Sequence, residues 1–321
     1  FKQKTAYEIM PSLVGSEMCI RDSLLVEGAV VRVCGRSKTC RGEVEYLCGN
    51  LMSREFSQRA CEGQEAVFHL AAKVAGVGYN SKHSGTILYD NAFVGLNILE
   101  AAVNCGVERI LLASSACVYR RDSAVPTPET EGFIGNPEPT NLGYGWAKRF
   151  LEVQALCYTT LYPIKIALPR MYNAYGPRDD FSWETSHVIP ALIRKVFEGG
   201  DTVKVWGDGS QTRSFLYVSD FLEGLMLTLE RYPECDPVNI GSEEEVTILG
   251  LINLIIKIAG SQAHVEFERN KPRGQPRRIG DYAKARELLG FKPRVGLAVS
   301  YTHLRAHETR HDLVCRLLLE K

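Results

Sequence analysis

Two short motifs in this chain carry side chains that could move a proton. One is the hexapeptide SSACVY at residues 114–119, and the other is the pentapeptide YGWAK at residues 144–148. Residues four apart share one face of a helix, so Tyr144 and Lys148 can point into the same small volume. A phenol with a pKa of about 10 is a poor base at neutral pH, but a fixed ammonium group beside it stabilises the phenolate. The pair therefore predicts a tyrosine that exchanges a proton with a substrate.

The elements that must position these motifs alternate between strand and helix. Apolar runs typical of buried strands lie at residues 30–34, 66–70, 109–113 and 164–168, and helix-like segments at 91–104 and 144–159 separate the last three. This alternation predicts an α/β fold with a doubly wound parallel sheet. Ligands bind outside the carboxyl ends of such strands, so the segments beginning at Ala71, Ser114 and Pro169 should meet at one crevice.

Composition and charge exclude several classes of function. The 38 basic and 38 acidic residues balance, so no overall field attracts nucleic acid or an anionic membrane. The ten cysteines lack paired metal-ligand spacing, which predicts no metal site and reduced thiols in a cytoplasmic protein. The most apolar stretch, residues 248–259, is too short to span a bilayer. Any anionic ligand must therefore be held by local arginines.

From about residue 24 to residue 298 the chain resembles the extended short-chain dehydrogenases/reductases, within the NAD-dependent epimerase/dehydratase family. Two enzyme groups of that family are similar to different segments. The segments at 69–78, 114–119 and 206–215 are most similar to GDP-mannose 3,5-epimerases, whereas those at 138–141, 186–192 and 271–278 are more similar to GDP-L-fucose synthases. The resemblance implies a Rossmann-type sheet and a nucleotide-sugar substrate, with the base and the sugar left open.

The resemblance also implies catalytic roles. Tyr144 would exchange a proton with a sugar oxygen while nicotinamide takes or returns hydride, Lys148 would contact the ribose, and Ser115 would hydrogen-bond the reacting oxygen. Cys117 and His187 would be the two acid/base groups that epimerise a carbon next to a keto group, which acidifies the neighbouring C–H. His187 matches the synthases, because the mannose epimerases have lysine there.

Binding roles follow from the same resemblance. Arg213 and Arg278 would clamp the diphosphate, since planar guanidinium binds phosphate bidentately, with Asn173 and Trp206 near the nucleotide sugar. The implied cofactor is NADP or NAD, held by Arg36, Ala71, Ala72, Lys73, Asn91, Tyr144 and Lys148. Arg36 follows a strand where an acidic residue usually holds the ribose of NAD, and this favours NADP.

Three functions remain open. The first is a nucleotide-sugar epimerase that acts on a GDP-sugar through a transient keto-sugar, with hydride exchange to NAD(P). The second is a GDP-L-fucose synthase-like epimerase-reductase that consumes NADPH, and the third is a non-catalytic nucleotide-binding protein. Each residue also has a simpler interpretation: Tyr144 and Lys148 as an amphipathic pair, Cys117 as a small core residue, and His187 as a helix start. A homodimer through the helices at 91–104 and 144–159 is expected on the resemblance.

The domain organisation is predicted from a change in composition after residue 175. We expect a dinucleotide-binding domain at 24–175, with a return near 215–242, and a smaller, mainly substrate-binding C-terminal lobe at 176–298. The end segments, 1–23 and 299–321, are anomalous and resemble translated sequencing-adapter sequence joined to a gene fragment. Gly15 is the one glycine before residue 24. The first strand and its glycine loop are therefore expected to be missing, leaving a truncated chain that binds cofactor poorly.

Overall fold

The computed structural model describes residues 4–9, 16–36, 44–177, 179–198, 200–271 and 274–298, with side chains described from residue 20 onward. The strands are β1 (Lys4–Ile9), β2 (Val30–Gly35), β3 (Glu45–Cys48), β4 (Ala66–His69), β5 (Arg109–Leu112), β6 (Ser114–Ser115), β7 (Lys165–Ala167), β8 (Pro169–Met171), β9 (Ala174–Tyr175), β10 (Thr202–Trp206), β11 (Thr212–Ser214), β12 (Leu216–Tyr217), β13 (Val238–Ile240), β14 (Glu245–Thr247), β15 (His264–Glu268) and β16 (Arg277–Arg278). The α-helices are α1 (Ser16–Val26), α2 (Arg54–Cys61), α3 (Val77–Lys82), α4 (Ser84–Asn104), α5 (Leu142–Thr159), α6 (Val188–Phe197), α7 (Val218–Arg231) and α8 (Ile248–Ala259).

The central sheet is parallel and has the order β3-β2-β1-β4-β5-β7. Alternate residues of its strands enter two separate apolar clusters. Ile110 of β5 packs with Leu99 of α4 and Leu151 of α5, whereas its neighbour Leu111 packs with Phe221 of α7. Because successive strand side chains point to opposite faces, the sheet is covered by helices on both sides. The predicted doubly wound Rossmann-type fold is confirmed.

The first strand is present, so the prediction that it is missing is wrong. Strand β1 lies between β2 and β4 and pairs with both, from Lys4 opposite Val30 to Tyr7 opposite Phe68. Its sequence, KTAYEI, has no continuous apolar run, which is why the sequence pattern did not reveal it. A strand that forms backbone hydrogen bonds along both edges is held in the sheet by its main chain, so it can lack the apolar side-chain run of a typical buried strand. The predicted absence of a glycine loop concerns residues 10–15, which lie outside the described residues.

A smaller parallel sheet, β13-β8-β6, begins just beyond the carboxyl ends of β5 and β7. Strand β6 carries Ser114 and Ser115, so the hydroxyls of the first motif lie at the edge where the crevice was predicted. Strand β13 pairs with β8 and lies within the segment 215–242, for which a return to the first domain stays a prediction. None of the described helices is long and apolar enough to cross a membrane.

The C-terminal part of the chain adds short strand groups to the fold. Strand β10 pairs with β15, β11 lies between β14 and β16, and β12 pairs with β9. A third apolar cluster joins α6 to α8, with Leu192 and Leu251 among its buried members. The domain limits given above stay a prediction, and the anomalous tail at 299–321 lies outside the described residues.

Candidate active site

Tyr144 and Lys148 lie one turn apart on α5, with both side chains buried. The Lys148 Nζ is 5.5 Å from the centroid of the Tyr144 ring and donates a hydrogen bond of 2.6 Å to the carbonyl oxygen of Ala113. Burial raises the pKa of Tyr144 well above its usual value, while hydrogen bonding to Ser115 and the charge of Arg278 act in the opposite direction. In the free protein the phenol therefore carries its proton at neutral pH.

Ser115 and Cys117 approach Tyr144 because α5 carries glycine where it touches the first motif. A Cβ on Gly145 would collide with the carbonyl oxygen of Cys117, so only glycine lets the helix pack this closely. The Ser115 Oγ accepts a hydrogen bond of 3.2 Å from the backbone N–H of Cys117, which begins a 3₁₀ turn at residues 116–118. Cys117 itself packs against the small apolar cluster that contains Tyr144.

A buried ion pair fastens α5 to the strands beneath it. Arg170 of β8 forms two hydrogen bonds with the Glu152 carboxylate, 2.9 Å from Nε and 2.7 Å from Nη2. The Ser114 hydroxyl donates to the same carboxylate. Tyr144, Lys148 and Glu152 follow each other at intervals of four, so they form one stripe of the helix above residues 113–115. Glu152 is not among the predicted site residues, although its spacing of four from Lys148 is visible in the sequence.

Arg278 contacts the Cys117 sulfur and lies beside a second arginine, Arg213. The Arg278 Nη2 donates to Cys117 Sγ at 3.1 Å, and Arg278 is the strand partner of Arg213 in the parallel pairing of β16 with β11. The Arg278 Nε is buried without a hydrogen-bond partner among the described residues. Burial and the neighbouring Arg278 lower the pKa of Arg213 to about 10, and Glu138 acts against this shift. Such a pair of cations suits a dianionic group.

A cavity of about 1130 Å³ joins these residues to the C-terminal part of the chain. His187 lies on its wall just before α6, and burial lowers the pKa of this imidazole while Asp180 partly offsets the effect. Asn173 donates a hydrogen bond of 2.9 Å to the carbonyl oxygen of Ser214, and Trp206 is 41% exposed at the end of β10. The cavity thus brings together the predicted catalytic and substrate-binding residues except Lys148, namely Ser115, Cys117, Tyr144, His187, Asn173, Trp206, Arg213 and Arg278.

Of the predicted cofactor residues, Tyr144 lines this cavity and Lys148 lies one turn further along α5, whereas the others lie outside its walls: Arg36 follows β2, Ala71, Ala72 and Lys73 follow β4, and Asn91 is on α4. The Asn91 carboxamide holds the turn after β4, since it accepts from Lys73 N at 2.7 Å and donates to Lys73 O at 3.0 Å. Ala71 and Ala72 add almost no side-chain bulk there, the Lys73 ammonium lies 2.7 Å from an Asp90 oxygen, and Arg36 is exposed just beyond β2. In this strand order the crevice between β1 and β4 suits a dinucleotide, and the small and cationic side chains fit one.

Comparisons with known proteins agree with this geometry. Residues 12–241 match the NAD dependent epimerase/dehydratase family. The chain is 34% identical over 248 residues to a GDP-L-fucose synthase of Sinorhizobium fredii, which spans 75% of this chain and 79% of that protein. A GDP-L-fucose synthase of Escherichia coli is 31% identical over 269 residues, which span 78% of this chain and 83% of that protein.

A solved structure has the same architecture. The UDP-glucose 4-epimerase of Thermotoga maritima, determined with UDP-glucose, superposes with a TM-score of 0.83 at 25% sequence identity. The match covers 95% of this chain and 99% of that structure. Nearly the whole arrangement of strands and helices is therefore shared with an enzyme that holds a nucleotide sugar.

Proposed function

Because this chain belongs to the NAD-dependent epimerase/dehydratase family, we propose that it epimerises a nucleotide-bound hexose through a transient keto-sugar. One observation carries this proposal: Tyr144, Cys117 and His187 line the same cavity as the two adjacent guanidinium groups of Arg213 and Arg278. Proton-transfer groups and a diphosphate-binding pair are thus held within one volume. The synthases among the relatives favour GDP as the nucleotide.

The two arginines would hold the diphosphate of the substrate. The unpartnered Nε of Arg278 and the closeness of Arg213 leave positive charge that the protein only partly neutralises with Glu138. A diphosphate placed there would form charge-assisted hydrogen bonds with both guanidinium groups. Trp206 and Asn173 would contact the remainder of the nucleotide sugar.

Tyr144 would handle the proton on the sugar oxygen. Its neutral phenol and the Ser115 hydroxyl would donate to a carbonyl oxygen. The phenolate that remains would be stabilised by the Ser115 hydrogen bond and the charge of Arg278, with the Lys148 ammonium 5.5 Å from the ring centroid. In the opposite direction the phenolate takes the proton of a sugar hydroxyl. Lys148 is held for this by the Ala113 carbonyl.

Cys117 and His187 would exchange the proton on the carbon next to the keto group. A keto group acidifies that C–H, so one side chain can remove the proton and the other can return one to the opposite face. The lowered pKa of this half-buried imidazole favours the neutral form of His187, which can accept a proton. Both side chains line the cavity.

NADP or NAD supplies hydride transfer when it is bound. In this chain Arg36 would hold the 2′-phosphate of NADP, residues 71–73 and Asn91 would lie beside the pyrophosphate, and Lys148 would contact the ribose. Arg36 and residues 71–73 follow the carboxyl ends of β2 and β4, Asn91 of α4 bonds the backbone of Lys73, and Lys148 lies on α5 beside Tyr144, which supports these assignments.

A second candidate is a GDP-L-fucose synthase-like reaction, in which reduction follows epimerisation and NADPH is consumed. The relatives from Sinorhizobium fredii and Escherichia coli favour it. The experiment that separates the candidates uses two reactions in deuterated water, one with a GDP-hexose and NADP or NAD, and one with a GDP-4-keto-6-deoxyhexose and NADPH. Deuterium uptake into the GDP-hexose without a net change in cofactor absorbance supports the epimerase, whereas deuterium uptake and NADPH loss confined to the keto-sugar support the synthase. Nucleotide binding with neither signal would contradict both and support a non-catalytic binding protein.

We also propose a homodimer and a cytoplasmic location. Helices α4 and α5 pack together and both expose large apolar side chains, which suits a self-association surface: Tyr89, Phe93, Trp146, Phe150, Val153 and Leu156. The thiols of Cys48, Cys105, Cys117, Cys157 and Cys235 are free, which suits a reducing compartment.

A further inference from the structure

Asn80 occupies an unusual position in the cavity wall. It lies on α3, is 4% exposed, and lines the cavity. Its Nδ2 donates a hydrogen bond of 2.8 Å to Asn141 Oδ1, but its own Oδ1 has no hydrogen-bond partner among the described residues. An unused carbonyl oxygen in a buried place is costly and is uncommon in folded proteins.

Helix α3 runs between the two groups of proton-transfer residues. At its start, the backbone N–H of Gly76 donates to the Thr185 carbonyl oxygen at 2.9 Å, and a Cβ on Gly76 would lie 2.7 Å from the Ser186 carbonyl oxygen. This end of the helix is therefore docked against the segment that carries His187.

The other end of α3 contacts the Tyr144 side of the cavity. Tyr79 packs against the apolar cluster that contains Tyr144 and Cys117. Asn141, the partner of Asn80, immediately precedes the helix that carries Tyr144. Asn80 therefore lies between the His187 segment and the Tyr144 group, where the proposed mechanism requires the sugar ring.

We propose that Asn80 is a specificity-determining residue whose side-chain oxygen accepts a hydrogen bond from a hydroxyl of the bound hexose. The inference rests on the proposed function, because it needs a sugar between Cys117 and His187. Each hexose hydroxyl can donate a hydrogen bond. The hydrogen bond to Asn141 engages the Nδ2 of Asn80 and so orients the carboxamide, which leaves the Asn80 Oδ1 as the acceptor for such a hydroxyl. A sugar with that hydroxyl missing or in the other configuration leaves the oxygen unpaired and binds less tightly.

The test separates the sugar from the nucleotide by calorimetry on the full chain. GDP, GDP-mannose and GDP-L-fucose are titrated into the wild type, Asn80→Ala, Asn80→Ser and the control Ser81→Ala, with UDP and UDP-glucose as a second pair. The measured quantity is the ratio of the Kd of the free nucleotide to the Kd of its sugar conjugate. We expect Asn80→Ala to reduce this ratio about tenfold, with the Kd for GDP unchanged, as loss of one buried hydrogen bond predicts.

Asn80→Ser keeps a polar residue but shortens it, so it should reduce the ratio in the same way even if the alanine variant does not fold. Ser81 is the neighbour of Asn80 on α3 and its hydroxyl bonds the Gly78 carbonyl, so Ser81→Ala should leave the ratio within about twofold. If both Asn80 variants keep the wild-type ratio of the Kd for the free nucleotide to the Kd for its sugar conjugate, this inference is overturned and the proposed function is not affected. A wild type that binds every sugar conjugate no better than the free nucleotide overturns the proposed function as well.

Discussion

Arg213 and Arg278 are directly paired residues of two parallel strands, and both side chains line the cavity. The pairing holds two positive charges side by side in a partly buried place. Its effect is visible in the lowered pKa of Arg213, to about 10, which follows from burial and from the charge of Arg278. A bound diphosphate would offset this repulsion, so the geometry ties substrate affinity to two residues that lie far apart in the sequence.

Replacing Arg278 with methionine should weaken the binding of GDP and of GDP-sugars on the order of 30-fold or more. The loss is that of a partly buried charge-assisted contact. Arg277→Met is the matched control, because the neighbouring Arg277 side chain pairs with Glu245 and is half exposed. Calorimetry on both variants checks the prediction, and equal losses in the two would contradict it.

Replacing Tyr144 with phenylalanine should reduce turnover by a factor on the order of 100 to 10,000, the usual contribution of a positioned proton donor. The ring and its packing remain, so the Kd for the sugar nucleotide should stay within about threefold of wild type. The buried Tyr119, which hydrogen-bonds Asn239 at 2.5 Å, offers a contrasting Tyr→Phe change that should affect stability more than the chemical step. Steady-state rates and calorimetry together distinguish the two outcomes.

The local parts of the site are predictable from the sequence, because they depend on short-range geometry. The spacing of Tyr144 and Lys148 requires only a helix, and the approach of Ser115 requires only that it follow a strand of a parallel sheet. Helix α5 and strands β2, β4, β5 and β7 agree with the predicted elements within a few residues, whereas α4 begins at Ser84 and not at residue 91. The search for apolar runs did not predict β1, because this strand is held by backbone pairing on both edges and lacks the apolar run of a typical buried strand.

The non-local parts could not be predicted in the same way. Nothing near Arg213 in the chain indicates that β16 will lie beside β11, and the ion pair of Arg170 with Glu152 depends on the packing of α5 over β8. The unpaired oxygen of Asn80 is visible only after Asn141 is placed. Such relationships arise from tertiary packing, which a single sequence does not encode in any local pattern.

Replacing Glu152 with glutamine should lower the free energy of unfolding by about 3 kcal/mol, because it leaves the Arg170 charge buried and unpaired. Ser114→Ala removes one hydrogen bond to the same carboxylate and should cost about 1 kcal/mol. The control is Glu100→Gln, since Glu100 contacts Tyr158 at the exposed surface of the helices, and it should change stability by less than about 0.5 kcal/mol. Urea unfolding followed by circular dichroism measures all three.

Replacing Phe150 with glutamate should convert a dimer into a monomer. Phe150 is 51% exposed and lies in the apolar surface of α4 and α5, so a charge there would be buried without a partner on association. Val26→Glu alters an exposed apolar residue outside those helices and should leave the mass unchanged. Size-exclusion chromatography with light scattering gives the mass directly, and a monomeric wild type would refute the proposed dimer.

The ion pair of Glu245 with Arg277 predicts a defined pH dependence of stability. Hydrogen bonds from Arg277 and Thr212 lower the pKa of the Glu245 carboxyl from 4.5 to about 2. A carboxyl with a depressed pKa stabilises the folded state above its unfolded pKa, and this contribution is lost as the pH falls towards 2. Glu245→Gln should therefore be less stable than wild type at pH 7, and the difference should shrink between pH 4.5 and pH 2.

Glu243→Gln removes the same charge from the exposed pair with Arg286 and should give a small difference, below about 1 kcal/mol. Thermal unfolding of the three proteins across this pH range measures the effect. A difference in stability between Glu245→Gln and wild type that does not change with pH would show that the ion pair of Glu245 with Arg277 does not stabilise the fold.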